Sequence, residues 1–370
     1  MEKLLKKLKE DGHTIVLSGS IGAIPAIASS IIIWKLLEPY KNYFDAIRAA
    51  SGSSIPLAFA ATGMPPDEIR SKMSLITLKD VVEDIGLFAE HNEGKGLRGK
   101  LKDLIAYYTD AFNAAGILMR HLTDGVGIIK GDNMAKLIAS NLPVNNFGNT
   151  YPKLEVVATD FNTLRPYIFS ASTTPEVLIS EAATASCAMR GIFMPRSIQG
   201  AEYIDAAQCE PLPLLSVLNS HLAKGLDPKK LFILGFFVHT FSRKAPEKRH
   251  YLALDRHYGR AAHKDLFQLH KQILHHHGVK FIILELDTEK VVLPPPEEFP
   301  DLSDLGINWR GIRKLFARFA NKSQVERLLR GVSIFLYEEI NLRHLPCFIE
   351  ALEPEINRKL LEKVQQFKFT

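Results

Sequence analysis

The sequence predicts an α/β fold, a mostly parallel central sheet flanked by helices, followed by a helical C-terminal extension. Three observations carry this expectation. Short apolar runs alternate with stretches of helical periodicity. Some runs, Leu231–Val238 above all, are apolar at nearly every position, as strands covered on both faces are. Small residues and prolines gather where the runs end.

A chain of 370 residues can bury one large α/β domain or two smaller ones. With 46% hydrophobic and 24% charged residues it reads as soluble and globular, which excludes disorder over its whole length. The net charge of +5 is too small to indicate a nucleic-acid partner. It would favour adsorption on anionic phospholipid if gathered on one face. Cys187, Cys209 and Cys347 are odd in number and lack CxxC spacing, which argues against a disulfide framework and a structural zinc site. A reducing, cytoplasmic setting is the expectation. His270 and the run His275–His277 offer no i, i+4 ligand pattern from adjacent positions and read as a solvated helix end before Gly278. No metal and no cofactor are expected.

Residues 1–12 read as a basic amphipathic helix, with Leu4, Leu5 and Leu8 on one side and lysines around them. It either packs on the protein or contacts a membrane surface. Residues 15–34 carry no charge and are long enough to span a bilayer. Ser18, Gly19, Ser20, Gly22 and Pro25 suit instead a strand at 14–17, a small-residue turn, and a helix from Pro25 to Leu37. The basic start and Ala26-Ile27-Ala28 leave a signal peptide as a further alternative.

Beyond it the pattern gives a strand at 46–49, a helix at 54–62 and a mostly helical stretch at 66–142. Strands follow at 154–159 and 167–170, with a helix at 175–186, a strand near 202–204 and a helix at 212–223. A strand at 231–238, a helix at 264–275 and a strand at 279–286 complete the main domain, 13–290. Pro294-Pro295-Pro296 reads as a linker. Residues 297–370 read as a helical subdomain that packs on the sheet or covers the mouth of a site, with Leu315, Phe319, Val325, Leu328, Leu329 and Val332 at helical spacing.

Chemistry-bearing residues cluster at three strand ends. Gly52-Ser53-Ser54-Ile55-Pro56 lies between a strand and an Ala-rich helix and approximates GxSxG, with Pro56 in the last glycine's place. A serine there stands at a helix N-terminus, where developing negative charge is favoured; Ser53 or Ser54 could equally be a plain helix cap. Gly19-Ser20-Ile21-Gly22 ends the first strand, and its amides could form an oxyanion hole. The alternative, a dinucleotide loop, lacks the third glycine of GxGxxG. Asp205 directly follows a strand and could exchange a proton with a serine, although aspartate is also common in turns.

In order and spacing these segments resemble the patatin-like phospholipase family, with its Gly-rich oxyanion loop, GxSxG elbow and DG(G/A) aspartate. Leu154–Thr163 is similar to that family's "vvATDxxTG" stretch, Glu181–Phe193 to its "raSaaiPglF" helix, and Gly200–Asp205 to "G..yvDG". Lys95–Gly99 and Lys130-Gly131-Asp132 sit where the family has similar turns. The resemblance covers about residues 14–238. It implies Ser54 as nucleophile and Asp205 as base, with oxyanion donors from Gly19, Ser20, Ile21 and Ile55 and an elbow shaped by Gly52 and Pro56. The implied reaction is acyl transfer from a glycerolipid or phospholipid to the serine, followed by hydrolysis. The chain departs from the family in lacking the loop's basic residue, in Pro56, in Ala206 and Ala207 after the aspartate, and in Arg190 where proline is usual. These departures keep open a second expectation, a catalytically weak or inactive relative that binds lipid or a protein partner.

Overall fold

The computed structural model describes residues 1–76, 78–81, 127, 129–239, 251–288, 291 and 342–367. The turn at Lys95–Gly99, the proline linker and the helical spacing of 315–332 lie outside the described residues.

Chain order gives α1 (Glu2–Glu10), β1 (Thr14–Gly19), α2 (Ala23–Leu37), β2 (Ala46–Ala50), α3 (Ser54–Ala61), α4 (Pro66–Leu75) and α5 (Leu78–Val81). Next come α6 (Asp132–Asn141), β3 (Lys153–Asp160), β4 (Pro166–Ser170), α7 (Ile179–Ser186), β5 (Arg196–Ile198), β6 (Ala201–Ile204) and α8 (Leu215–Ala223). The last are β7 (Leu231–His239), α9 (Tyr251–His276), β8 (Lys280–Asp287) and α10 (Leu345–Gln366). The strands form one eight-stranded sheet in the order β5-β6-β3-β2-β1-β7-β8, with β4 also paired to β3.

From β3 through β2, β1 and β7 to β8 every pairing is parallel. The β3 edge changes character: β4 and β6 both run antiparallel to β3, and β5 antiparallel to β6. Short β5, three residues long, had no sequence signal of its own, because a run that brief shows no periodicity.

Alternation along the central strands divides the core into two layers. Ile15, Leu17, Ile47, Phe232, Leu234 and Ile282 face one layer, with α1, α2, α3 and α10. Val16, Ala46, Ile233 and Ile283 face the other, with α8 and α9. The arrangement is a sheet covered by helices on both faces.

Residues 15–34, uncharged throughout, form most of β1, a turn and most of α2. Helix α2 is buried almost all round, from Ile24 to Trp34, as a helix with no polar face must be. Its two serines are satisfied locally, Ser29 Oγ donating to Pro25 O at 2.8 Å and Ser30 Oγ to Ala26 O at 2.7 Å. Helix α10 lies against α2 and β8 and buries Phe348, Ile349, Leu352 and Ile356. In α1, Leu4, Leu5 and Leu8 are buried in the core, so its apolar side is engaged by the protein itself. Each such leucine contributes about 1.5–3 kcal/mol. Among the described residues, no helix is long and apolar enough to cross a membrane.

Candidate active site

Three chain segments converge where β1, β2 and β3 end. Strand β2 runs one residue further than its sequence pattern indicates, to Ala50, and the chain turns at Ser51. Ser51 has φ +49°, the left-handed region that side-chain-bearing residues rarely occupy. A short 3₁₀ turn, Ser51–Ser53, leads into α3. Ser51 is therefore the residue at the apex of the elbow, and Ser54 is already the first residue of the helix.

This placement decides which serine meets Asp205. The Ser51 hydroxyl donates to Asp205 Oδ2 at 2.9 Å. The Ser54 hydroxyl turns back and donates to the Ser51 carbonyl at 2.6 Å, and it lies 3.5 Å from Cys187 Sγ. Ser54 is 0% exposed. The pairing expected for Ser54 is thus made by Ser51, three residues earlier. The cause is geometric: a residue in the first turn of a helix has its hydroxyl within reach of the i−3 carbonyl.

Asp205 directly follows β6. Pairing of Ile204 with Thr159 sets it beside the end of β3. Its amide donates to Ala188 O at 2.9 Å, and its carbonyl accepts from Thr159 Oγ1 at 2.8 Å. The carboxylate also accepts from Ala207 N at 2.8 Å through Oδ1. Ala206 and Ala207 begin a short 3₁₀ turn, and neither has a positive φ. Asp205 is 1% exposed, and burial pushes its carboxyl up to about 7 against the two hydrogen bonds that favour the charged form.

The loop after β1 packs on this elbow. Gly19 ends β1 in register with Ala49 and Phe236. Ser20 Oγ donates to Ile21 O at 2.9 Å and accepts from Val238 N at 3.3 Å. Ile21 was expected to offer its amide to an oxyanion, but that N–H donates to Pro211 O at 3.1 Å. Pro211, six residues beyond Asp205, thus claims the donor. The chain then enters α2 through Gly22, φ +133°, and Ala23, φ +47°. Gly52 lies so close to this entry that a Cβ on it would meet Ala23 O at 2.4 Å. The absence of a side chain at Gly52 is what lets elbow and loop touch. Ile55 presents its side chain to the cleft as the second residue of α3, and Pro56, buried in that helix's first turn, costs no hydrogen bond.

A cleft with about 770 Å³ of empty space, part of it open to solvent, adjoins the elbow. Ser51, Gly52, Ala23 and Cys187 line it, and most of the remaining wall is apolar, including Ile27, Phe59, Met73 and Ile138. Lys72 and Asn141, joined by a 3.3 Å hydrogen bond, are polar exceptions. Arg190 is exposed one residue beyond Met189, which lines the cleft. Burial, together with the nearby Asp205 charge, pushes the Cys187 thiol up to about 12, which keeps it protonated at neutral pH. His275–His277 are exposed at the end of α9, and the chain leaves at Gly278 with φ +68°.

The layers and the mixed sheet define an α/β protein with helices on both faces of a largely parallel core. Within that class, the family described as patatin-like phospholipase matches residues 18–218, and the chain belongs to it. The match runs from β1 into α8 and contains Ser51, Ser54 and Asp205. No curated protein matches the chain. Among solved structures, the chain is similar to VipD from Legionella pneumophila, at 15% identity and a TM-score of 0.36, covering 81% of this chain and 65% of that one. It is also similar to ExoU from the type III secretion system of Pseudomonas aeruginosa, solved in complex with SpcU. There the identity is 19% and the TM-score 0.29, with 72% of this chain and 52% of that one covered. The chain thus spans less than two thirds of the length of either.

Proposed function

We propose that this protein is a lipid acyl hydrolase in which Ser51 is the nucleophile and Asp205 the base. The observation that carries the reading is the 2.9 Å hydrogen bond to a buried carboxylate from the hydroxyl of Ser51, whose backbone is strained. The apolar cleft beside Ser51 suits an acyl chain. Membership in a family described as patatin-like phospholipase supports a glycerolipid or phospholipid ester as the substrate.

In this reading Asp205 Oδ2 takes the Ser51 proton as Oγ adds to the ester carbonyl. The tetrahedral intermediate collapses, the C–O bond to the alcohol breaks, and Asp205 returns the proton to that leaving oxygen. Water then attacks the acyl-enzyme with Asp205 again as base, releasing the fatty acid and restoring the Ser51 hydroxyl. No histidine is required. The amides of Gly52 and Ala23 head helical turns, where in-helix acceptors are absent, and we assign them to the oxyanion in place of Ile21. A carboxyl poised near 7 is suited to both halves of this exchange at neutral pH.

The test is turnover of p-nitrophenyl acyl esters and of phospholipid vesicles by the purified chain. Ser51→Ala and Asp205→Asn should each lower kcat by roughly 1,000-fold or more. Undiminished hydrolysis by Ser51→Ala would sink the assignment.

A further inference from the structure

The Ser51 carbonyl receives more hydrogen bonds than a turn needs. Ser54 N–H donates to it, as the following helix dictates. Ser54 Oγ donates at 2.6 Å, and Cys187 Sγ, arriving from the end of α7, donates at 3.1 Å. On the other side of the same residue, Ser51 N–H donates to Ser186 Oγ at 2.7 Å, which in turn donates to Val157 O at 2.5 Å. Both peptide units around the strained serine are therefore held by side chains from two separate helices.

The unit between Ser51 and Gly52 is the one whose orientation matters chemically. A trans peptide is planar, so its C=O and N–H point in opposite directions. Fixing the Ser51 carbonyl toward Ser54 and Cys187 fixes the Gly52 N–H away from them. Gly52, with no Cβ, offers little steric resistance of its own to a flip of that plane. The hydrogen bonds on the carbonyl must then do what a side chain would do elsewhere.

We infer that Ser54 and Cys187 are positioning residues: by clamping the Ser51 carbonyl they aim the Gly52 amide at the oxyanion of the ester undergoing cleavage. This rests on the reading of Ser51 as nucleophile. Ser54 thereby has a part in the reaction without forming the acyl bond. Cys187 acts as a protonated donor, not as a second nucleophile.

A misaimed donor weakens only the interaction with developing charge, so it lowers kcat and leaves KM in place. The experiment uses the full chain, with competent sites counted by a fluorophosphonate and kcat expressed per labelled site. Ser54→Ala and Cys187→Ala should each lower that kcat by ~10-fold, less than the 100-fold or more that losing a donor outright costs. KM for a p-nitrophenyl ester should stay within about twofold. Affinity for a trifluoromethyl ketone, whose adduct carries an oxyanion, should fall in step with kcat. Ser54→Thr and Cys187→Ser, which keep a hydroxyl donor, should recover most of the rate. If Ser54→Ala does not fold, Cys187→Ala, just past the end of α7, still decides. Unchanged kcat per labelled site in both single variants would overturn the inference while leaving Ser51 intact as nucleophile. Full turnover by Ser51→Ala would overturn both.

Discussion

Replacing Asp205 by asparagine should trade activity for stability, and the trade should depend on pH. In the folded protein burial holds this carboxyl near 7, against an ordinary value of 3.8. Below 3.8 the group is protonated in both states and the folded form carries no penalty. Between 3.8 and 7 the unfolded chain releases the proton and the folded one retains it, so stability falls as pH rises. Above 7 the loss is complete, at about 4 kcal/mol from 1.36 kcal/mol for each tenfold change in proton affinity. Asparagine has nothing to titrate. The urea stability of Asp205→Asn, measured from pH 4.5 to 8.5, should therefore gain on the parent by about 3–4 kcal/mol across the range. The neighbouring Cys187 and Cys209 thiols, both pushed up to about 12, stay neutral throughout and do not imitate this slope. Parent kcat/KM should rise through pH 7 as the base ionises, while the variant stays inactive. A stability difference that does not change with pH would show that the carboxyl is not held in a dry site. Asp205 would then not be a base tuned by burial.

Other perturbations probe the surroundings. Gly52→Ala places a methyl 2.4 Å from Ala23 O; it should cost about 1–3 kcal/mol in denaturant unfolding and most of the turnover. Ile138→Phe narrows the apolar cleft, and the ratio of kcat/KM for C4 over C12 esters should rise by about 10-fold or more. Arg48 is buried in β2 and paired with Glu155, its Nε donating at 2.7 Å, so Arg48→Ala should destabilise by about 3 kcal/mol with little change in KM.

The fold was largely legible because its signals are local. Leu231–Val238 is nearly all apolar because β7 lies inside a covered parallel sheet, and the small residues at 18–22 span the last two residues of β1 and the turn into α2. The pattern at 175–186 predicts helix throughout, but regular helix begins only at Ile179. Asp205 was legible as a carboxylate right after a strand. Glycine marks the elbow in the template and points to Ser54; the proposed reading puts the nucleophile three residues earlier, at Ser51, which Ala49 and Ala50 precede. With β2 ending at Ala50, the template falls on Ala49-Ala50-Ser51-Gly52-Ser53, and both glycine positions hold other small residues. Smallness, not glycine itself, is what this packing needs at Ser53, whose Oγ closes on Ala50 O at 2.8 Å. Ile21's engagement by Pro211 is a contact across 190 positions, and no local pattern encodes it.

In the proposed mechanism Ser51, and not Ser54, forms the bond to the acyl group. Labelling the purified chain with a fluorophosphonate, then mapping the adduct by peptide mass spectrometry, tests it most directly. The expected result is an adduct on Ser51, lost in Ser51→Ala and retained, though formed more slowly, in Ser54→Ala. An adduct on Ser54 that persists in Ser51→Ala would contradict it.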